Sequence, residues 1–205
     1  ADEDPESLPP LTVVVPAYNE EQYIQDKLLN LAMLDYPADL LFIVVACDGC
    51  KDDTVTRAKE TLALPECEHL QVSLLDFTEN RGKVAVLNDV IPKIETPVCL
   101  LSDVSALVSI DGLKLIAKAF RDPNVGFVNS RYLLLNPGSI GEERYWNYQR
   151  QIKSGEAQLG APIGAHGALY AFRTHLFELL PPNTINDDFV LPMSIVAQGY
   201  SGLQE

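Results

Sequence analysis

The sequence predicts an α/β fold: a mostly parallel sheet with helices on both faces. Two observations carry this. Short β-branched or leucine-rich runs alternate with stretches in which apolar residues return every three or four positions, the signature of a strand followed by an amphipathic helix. The alternation repeats four times in a row, which calls for crossover connections and parallel strands buried on both faces. Composition agrees, since 47% apolar and 21% charged residues in a chain of 205 are ordinary for a globular core.

Leu11 to Val15 is the first strand. Asn19 then opens a helical stretch with Tyr23, Ile24, Leu28 and Leu31 on one side, and with Gln22 three residues on it nearly forms a capping box. Leu41 to Ala46 is the second strand, and Asp52 or Asp53 is placed to cap a helix whose inner face is Val55, Ala58 and Leu62. Leu70 to Leu75 is the third, followed by a helix over Lys83 to Ile94. Val98 to Leu101 is the fourth, and Asp111 caps Leu113 to Phe120. After Pro123 the pattern becomes mixed. Val125 to Leu135 and Ala168 to Phe172 read as strands, separated by a polar-aromatic helix around Glu142 to Leu159. Asp187 begins a last helix through Ala197, ended by Gly199, with Pro192 tolerable only near its first turns. The expected organisation is an acidic, proline-rich tail over residues 1–10, one half over 11–122, and a second half of the same domain over 123–205 that lacks its last elements.

Twenty-nine acidic against 15 basic side chains give a net charge of -14, which argues against nucleic acid as a partner. The longest apolar runs, such as Leu40 to Cys47, fall well short of a membrane span. The first ten residues have neither a basic head nor an apolar stretch, so they read as a solvated tail rather than a signal peptide. Cys47, Cys50, Cys67 and Cys99 are too irregular for a disulfide framework, which points to a reducing compartment; Cys47 and Cys50 form a C-x-x-C, with a redox pair as the alternative to a structural role.

In an open α/β sheet the ligand lies outside the carboxyl ends of the strands. The residues expected there are Pro16-Ala17-Tyr18-Asn19-Glu20, Asp48-Gly49-Cys50, Asn80-Arg81-Gly82-Lys83 and Ser102-Asp103-Val104-Ser105. Helix N-termini favour an anion, yet three of these loops carry an acid, which suggests a divalent cation or recognition of a base edge. Neither a G-x-G-x-x-G after the first strand nor a G-x-x-x-x-G-K-[ST] occurs, so dinucleotide dehydrogenases and P-loop nucleotidases are demoted.

Six segments in one order carry a resemblance: Val13 to Glu21; Asp48-Gly49-Cys50-Lys51-Asp52-Asp53-Thr54; Asn80-Arg81-Gly82-Lys83 with Leu87-Asn88; Asp103-Val104-Ser105; Gly164-Ala165-His166-Gly167-Ala168; and Asp187-Asp188-Phe189 running to Gly199-Tyr200. Together they resemble the family-2 inverting glycosyltransferases of GT-A fold, whose sheet is Rossmann-like, with a nucleotide-sugar half here at 11–122 and an acceptor half at 123–205. The resemblance implies that Pro16, Ala17, Tyr18 and Glu20 wall the nucleotide, Asp48 accepts from a uracil ring, and Arg81, Lys83 and Ser102 contact the nucleotide or its diphosphate. It further implies that Asp103 binds Mg²⁺ or Mn²⁺ in a D-x-D element whose third position here is Ser105, a neutral and weaker ligand. Asp188, with Asp187 beside it, is implied as general base; Gly164, His166 and Gly167 as an acceptor-facing loop.

Each of these residues also has a plain structural reading: capping for Asn19, Asp187 and Asp188, a strand-end turn for Asp48 and Asp103, a solvated basic pair for Arg81 and Lys83, packing for His166 and for Tyr145 to Tyr148. The expected function is metal-dependent inverting transfer from a nucleotide-diphospho-sugar, implied to be a UDP-sugar, to a saccharide or lipid-linked acceptor. The resemblance implies a cytoplasmic location, or the cytoplasmic face of the inner membrane with anchoring segments absent from this chain. The alternative is a weakly active or inactive nucleotide-sugar-binding regulatory domain, motivated by Ser105. A sugar nucleotidyltransferase would need a Gly-rich basic loop where Pro16 to Glu21 is acidic.

Overall fold

A computed structural model describes residues 8–130 and 168–204. Their strands form a seven-stranded mixed sheet in the order β3-β2-β1-β4-β6-β5-β7. The first half supplies β1 (Leu11–Ala17), β2 (Leu41–Asp48), β3 (Gln71–Phe77) and β4 (Val98–Ser102), all mutually parallel where they pair. Between and after them run α1 (Ile24–Ala32), α2 (Thr54–Leu62), α3 (Lys83–Val90) and α4 (Gly112–Ala119). The second half adds β5 (Val125–Asn129), β6 (Leu169–Arg173), α5 (Asp187–Ala197) and β7 (Ser201–Gln204). β6 runs antiparallel to both β4 and β5, while β7 is parallel to β5.

Both faces are buried because side chains alternate along each strand. Val13, Val15, Ile43, Val45 and Leu100 meet Ile24, Leu28 and Leu31 of α1, Ala58 of α2 and Leu113 of α4. Val14, Ala46, Cys99, Leu101 and Phe127 point the other way, onto Val86 and Leu87 of α3 and Leu191 and Ile195 of α5. The predicted order of strands and helices in the first half is the order found. No helix among the described residues is long and apolar enough to cross a membrane.

The differences have local causes. Asn19 does not cap α1: it takes a left-handed φ of 55° and its side-chain oxygen accepts from the Lys51 amide at 2.8 Å, so the helix starts at Ile24. At α2 it is Asp52, not Asp53, whose carboxylate accepts from the Thr54 amide at 3.1 Å and from its hydroxyl at 2.5 Å. Asp111 occupies the cap position of α4 without a side-chain bond. The helix expected through Ile94 stops at Val90 and tightens to a 3₁₀ turn over Ile91–Lys93, as Pro92 has no amide hydrogen to continue it. Pro192 lies inside α5 and likewise contributes no amide hydrogen to it.

β7 is an addition to the sequence-based expectation. Gly199, at φ 93°, ends α5 and turns the chain back, and Gly202 then sits so close to the Phe127 ring that a Cβ there would come within 2.2 Å of it. The helix expected around Glu142 to Leu159 lies outside the described residues.

Candidate active site

β1, β2 and β4 run in parallel, so their carboxyl ends deliver Ala17, Asp48 and Ser102 to one edge of the sheet. The loops that leave this edge carry most of the predicted residues. Tyr18 is exposed, Pro16 and Glu20 half-buried, and Ala17 buried. The Glu20 amide donates to Thr54 Oγ1 at 2.7 Å, and the Glu21 carboxylate accepts from the Asp53 amide at 3.0 Å, so the β1 and β2 loops are stitched to each other. Burial, then the charges of Asp103 and Asp52, raise the Glu20 carboxyl above its usual value.

Asp48 forms one corner. Its buried carboxylate accepts from the Arg81 amide at 3.0 and 3.1 Å and from the Gly82 amide at 2.7 Å. The neighbouring Gly49, at φ 64°, presses against the same loop: a Cβ there would lie 2.3 Å from the Asn80 nitrogen. Asp48 thus fixes the β3–α3 loop to the end of β2. Arg81 stacks its guanidinium 4.4 Å from the centre of the Phe77 ring and pairs with Asp89 at 2.6 Å.

A second corner gathers around Lys83. Its Nζ is 3.2 Å from Asp103 Oδ1 and 3.4 Å from Asp187 Oδ2, so one ammonium, in the first turn of α3, bridges the β4 loop and the start of α5. Burial alone would lower the Lys83 pKa, but Asp187 and Asp103 outweigh it and the net shift is upward. The Tyr170 hydroxyl also reaches Asp187, at 3.4 Å, and burial followed by the charges of Asp187 and Asp188 raises that phenol well above its usual value. Asp187 is buried; Asp188, one residue on, is half-buried. A cleft of about 590 Å³ opens here, lined by Arg81, Lys83, Asn88, Thr184 and Asp187 among others. Asn88 closes one wall by exchanging two hydrogen bonds of 2.8 Å with the backbone of Leu180.

Two predicted residues behave differently from their neighbours. Ser102 is buried, and its hydroxyl accepts from Lys27 Nζ at 2.5 Å, inside the fold. Ser105 is exposed. Gly164, His166 and Gly167, with Tyr145 to Tyr148, lie outside the described residues. Lys27 and Tyr170 are the residues that sequence reasoning missed. Lys27 left a trace: it is a charge in the apolar stripe of Ile24, Leu28 and Leu31. Burial brings its ammonium down to about 7, opposed by Asp103.

Among the described residues no three of His, Cys, Asp and Glu converge on a metal-sized cage. One carboxylate, Asp103, with an exposed hydroxyl at Ser105, is the sparse donor set suited to Mg²⁺ or Mn²⁺ that completes its shell from phosphates and water. The Lys83 ammonium beside Asp103 shows that this acid already accommodates a positive charge. The donor set fits an ion shared with a ligand.

Comparison with known proteins bears on the whole arrangement. The chain is 29% identical over 140 residues to beta-monoglucosyldiacylglycerol synthase of Trichormus variabilis, covering 68% of this chain and 29% of that protein. It is 28% identical over 131 residues to poly-beta-1,6-N-acetyl-D-glucosamine synthase of Staphylococcus aureus, covering 63% and 30%. A solved structure of mannosyltransferase PcManGT from Pyrobaculum calidifontis, in complex with GDP-Man and Mn²⁺, superposes with a TM-score of 0.85 at 29% identity, over 98% of this chain and 56% of that one. The chain therefore spans less than a third of these curated relatives and just over half of the mannosyltransferase. Glycosyltransferase like family 2 matches over residues 9–201, which takes in β1 to β6 and the first residue of β7, and with the sheet order and the acidic edge described above, the chain belongs to that family and has its GT-A fold.

Proposed function

We propose that this domain transfers a sugar from a nucleotide-diphospho-sugar to an acceptor hydroxyl, with inversion at the anomeric carbon. The observation that carries the reading is the Lys83 bridge between Asp103 and Asp187, which brings a cation and acids from three chain segments to one cleft. Asp48 and the loop of Pro16, Ala17, Tyr18 and Glu20 would hold the nucleoside, with UDP as the expected nucleotide; the similarity to a mannosyltransferase solved in complex with GDP-Man makes guanine the competing base. Arg81 and Lys83 supply positive charge to the diphosphate. Asp103 and Ser105 are the residues that would hold Mg²⁺ or Mn²⁺, an ion that when bound neutralises charge on the leaving diphosphate.

The protein's own part in the reaction falls to Asp188. Its carboxylate takes the proton of the acceptor hydroxyl as that oxygen attacks the anomeric carbon; the bond from that carbon to the diphosphate oxygen breaks, and the nucleoside diphosphate leaves with the electron pair. Asp187, paired with Lys83 and Tyr170, holds the start of α5 in place for it. The acceptor is a saccharide or a lipid-linked group, in keeping with the polysaccharide and the glycolipid in the relatives' names, and the expected place of work is the cytoplasm or the cytoplasmic face of a membrane. The test is release of UDP or GDP from a panel of nucleotide-sugars with Mn²⁺, with and without saccharide and glycolipid acceptors. Acceptor-stimulated release supports transfer.

Exposed Ser105, where the family's D-x-D element has its second acid, favours one other reading, a regulatory module that binds the nucleotide-sugar without turning it over. Tight binding with no release across the acceptor panel would select it.

A further inference from the structure

The segment from Asp103 to Ile110, between β4 and α4, has no regular secondary structure, yet it carries the acid assigned above to the metal and diphosphate. Besides the Asp103 amide's bond to the Ala168 carbonyl at 2.9 Å and the burial of Val104, Ala106 and Val108, a polar pair on α1 ties it down. Lys27 Nζ donates to Ser102 Oγ at 2.5 Å and, at a shorter distance, to the Ala106 carbonyl, so a single side chain holds both ends of Asp103-Val104-Ser105. One turn on, Asn30 continues the row: its amide donates to the Val108 carbonyl at 2.9 Å and its oxygen accepts from the Val108 amide at 2.8 Å. Lys27 is fully buried although it is a lysine in the middle of an apolar helix face.

A buried ammonium is costly to desolvate, a cost that its hydrogen bonds must offset. The two acceptors it reaches bracket the loop whose acid pairs with Lys83. We propose that Lys27, with Asn30, is a positioning residue that clamps the Asp103 loop from behind and so sets the metal-dependent part of nucleotide-diphosphate binding. The inference rests on the function proposed above for its ligand, and on the hydrogen bonds alone for the clamp.

Two measurements on the Lys27→Met and Asn30→Ala variants test it. Without ligand or metal, amide hydrogen exchange at Val104 to Val108 should accelerate by about tenfold or more in each variant, as expected on losing a hydrogen-bonded anchor, while β1 and β2 amides keep their rates. With Mn²⁺, affinity of Lys27→Met for UDP or GDP should fall by about tenfold, while affinity without metal stays within about twofold. A variant that loses both affinities equally, or exchanges at the wild-type rate in this loop, overturns the clamp. Asn30→Ala leaves the buried charge in place and answers the exchange question should Lys27→Met fail to fold. If the wild-type chain binds neither nucleotide, the proposed function fails, and the ligand-free exchange experiment still decides the clamp.

Discussion

The two acidic corners of the cleft are built in opposite ways. Asp48 is held by backbone amides of Arg81 and Gly82, with glycines at φ 64° and 87° letting the two loops touch. Asp103 and Asp187 are bridged by the end of one long side chain, Lys83; its ammonium and the Asp103 carboxylate keep solvent access, while Asp187 is buried and also takes the Tyr170 hydroxyl. The first corner is part of the scaffold and cannot change without moving β2 against α3. The second is an exchangeable ion pair, which an incoming cation and diphosphate could reorganise by turning a few side-chain bonds. The function proposed above, in which a nucleoside is held still while charge is redistributed next to it, would have use for both.

The largest expected effect belongs to the second corner. Asp188→Asn should cut acceptor-dependent release of the nucleoside diphosphate by roughly 10²- to 10⁴-fold, the usual contribution of a general base, while nucleotide affinity measured by calorimetry stays within a few-fold. Undiminished turnover would remove Asp188 from that role. The first corner should break differently. Asp48→Ala leaves the Arg81 and Gly82 amides without their acceptor, and denaturant titration should register a loss of about 2 to 3 kcal/mol together with lost nucleotide binding. Stability equal to wild type would show that the Asp48 contacts are not scaffold.

Asp103→Ala sharpens the contrast, for it removes an acid of the exchangeable corner. Mn²⁺ should then improve nucleotide affinity by at least about tenfold less than it does in wild type, with little change in the unfolding midpoint. The smallest stability effect is expected for Lys83→Gln. Its pair with Asp103 is partly exposed and screened and Asp187 keeps the Tyr170 hydroxyl, so the unfolding free energy should move by less than about 1 kcal/mol, while nucleoside diphosphate binding weakens. A large loss of stability would mean that the bridge is structural.

How much of this could be read from the sequence differs between the same regions. The run from β1 to β4 was legible because β1, β2 and β4 are short, mostly apolar and β-branched or leucine-rich runs and the helices between carry apolar stripes, so local pattern and tertiary burial say the same thing. β7 was not, since Ser201-Gly202-Leu203-Gln204 contains one apolar residue and becomes a strand only because Phe127 leaves a slot that a glycine fits. The acids at the strand ends were visible as residue types at the expected edge. Their partners were not: Lys27 meets Ser102 and Ala106 across more than seventy residues of chain, and no periodicity encodes which lysine will stand between Asp103 and Asp187. Asn19 shows the reverse error, a residue of the right type for a cap whose side chain is claimed by another loop.

The antiparallel β6 also dictates an order of assembly. β5 leaves the ribosome before β6, yet β6 is the strand that lies between β4 and β5 in the sheet. The four parallel strands can pair as they emerge, whereas β5, whose partners among the described strands are β6 and β7, has no place in the sheet until β6 has been made. During synthesis, then, β4 presents an open hydrogen-bonding edge for as long as the intervening segment takes to be made. Asp103 lies at the end of that strand and Asp187 on α5, so the corner they share with Lys83 waits for a segment made after β6.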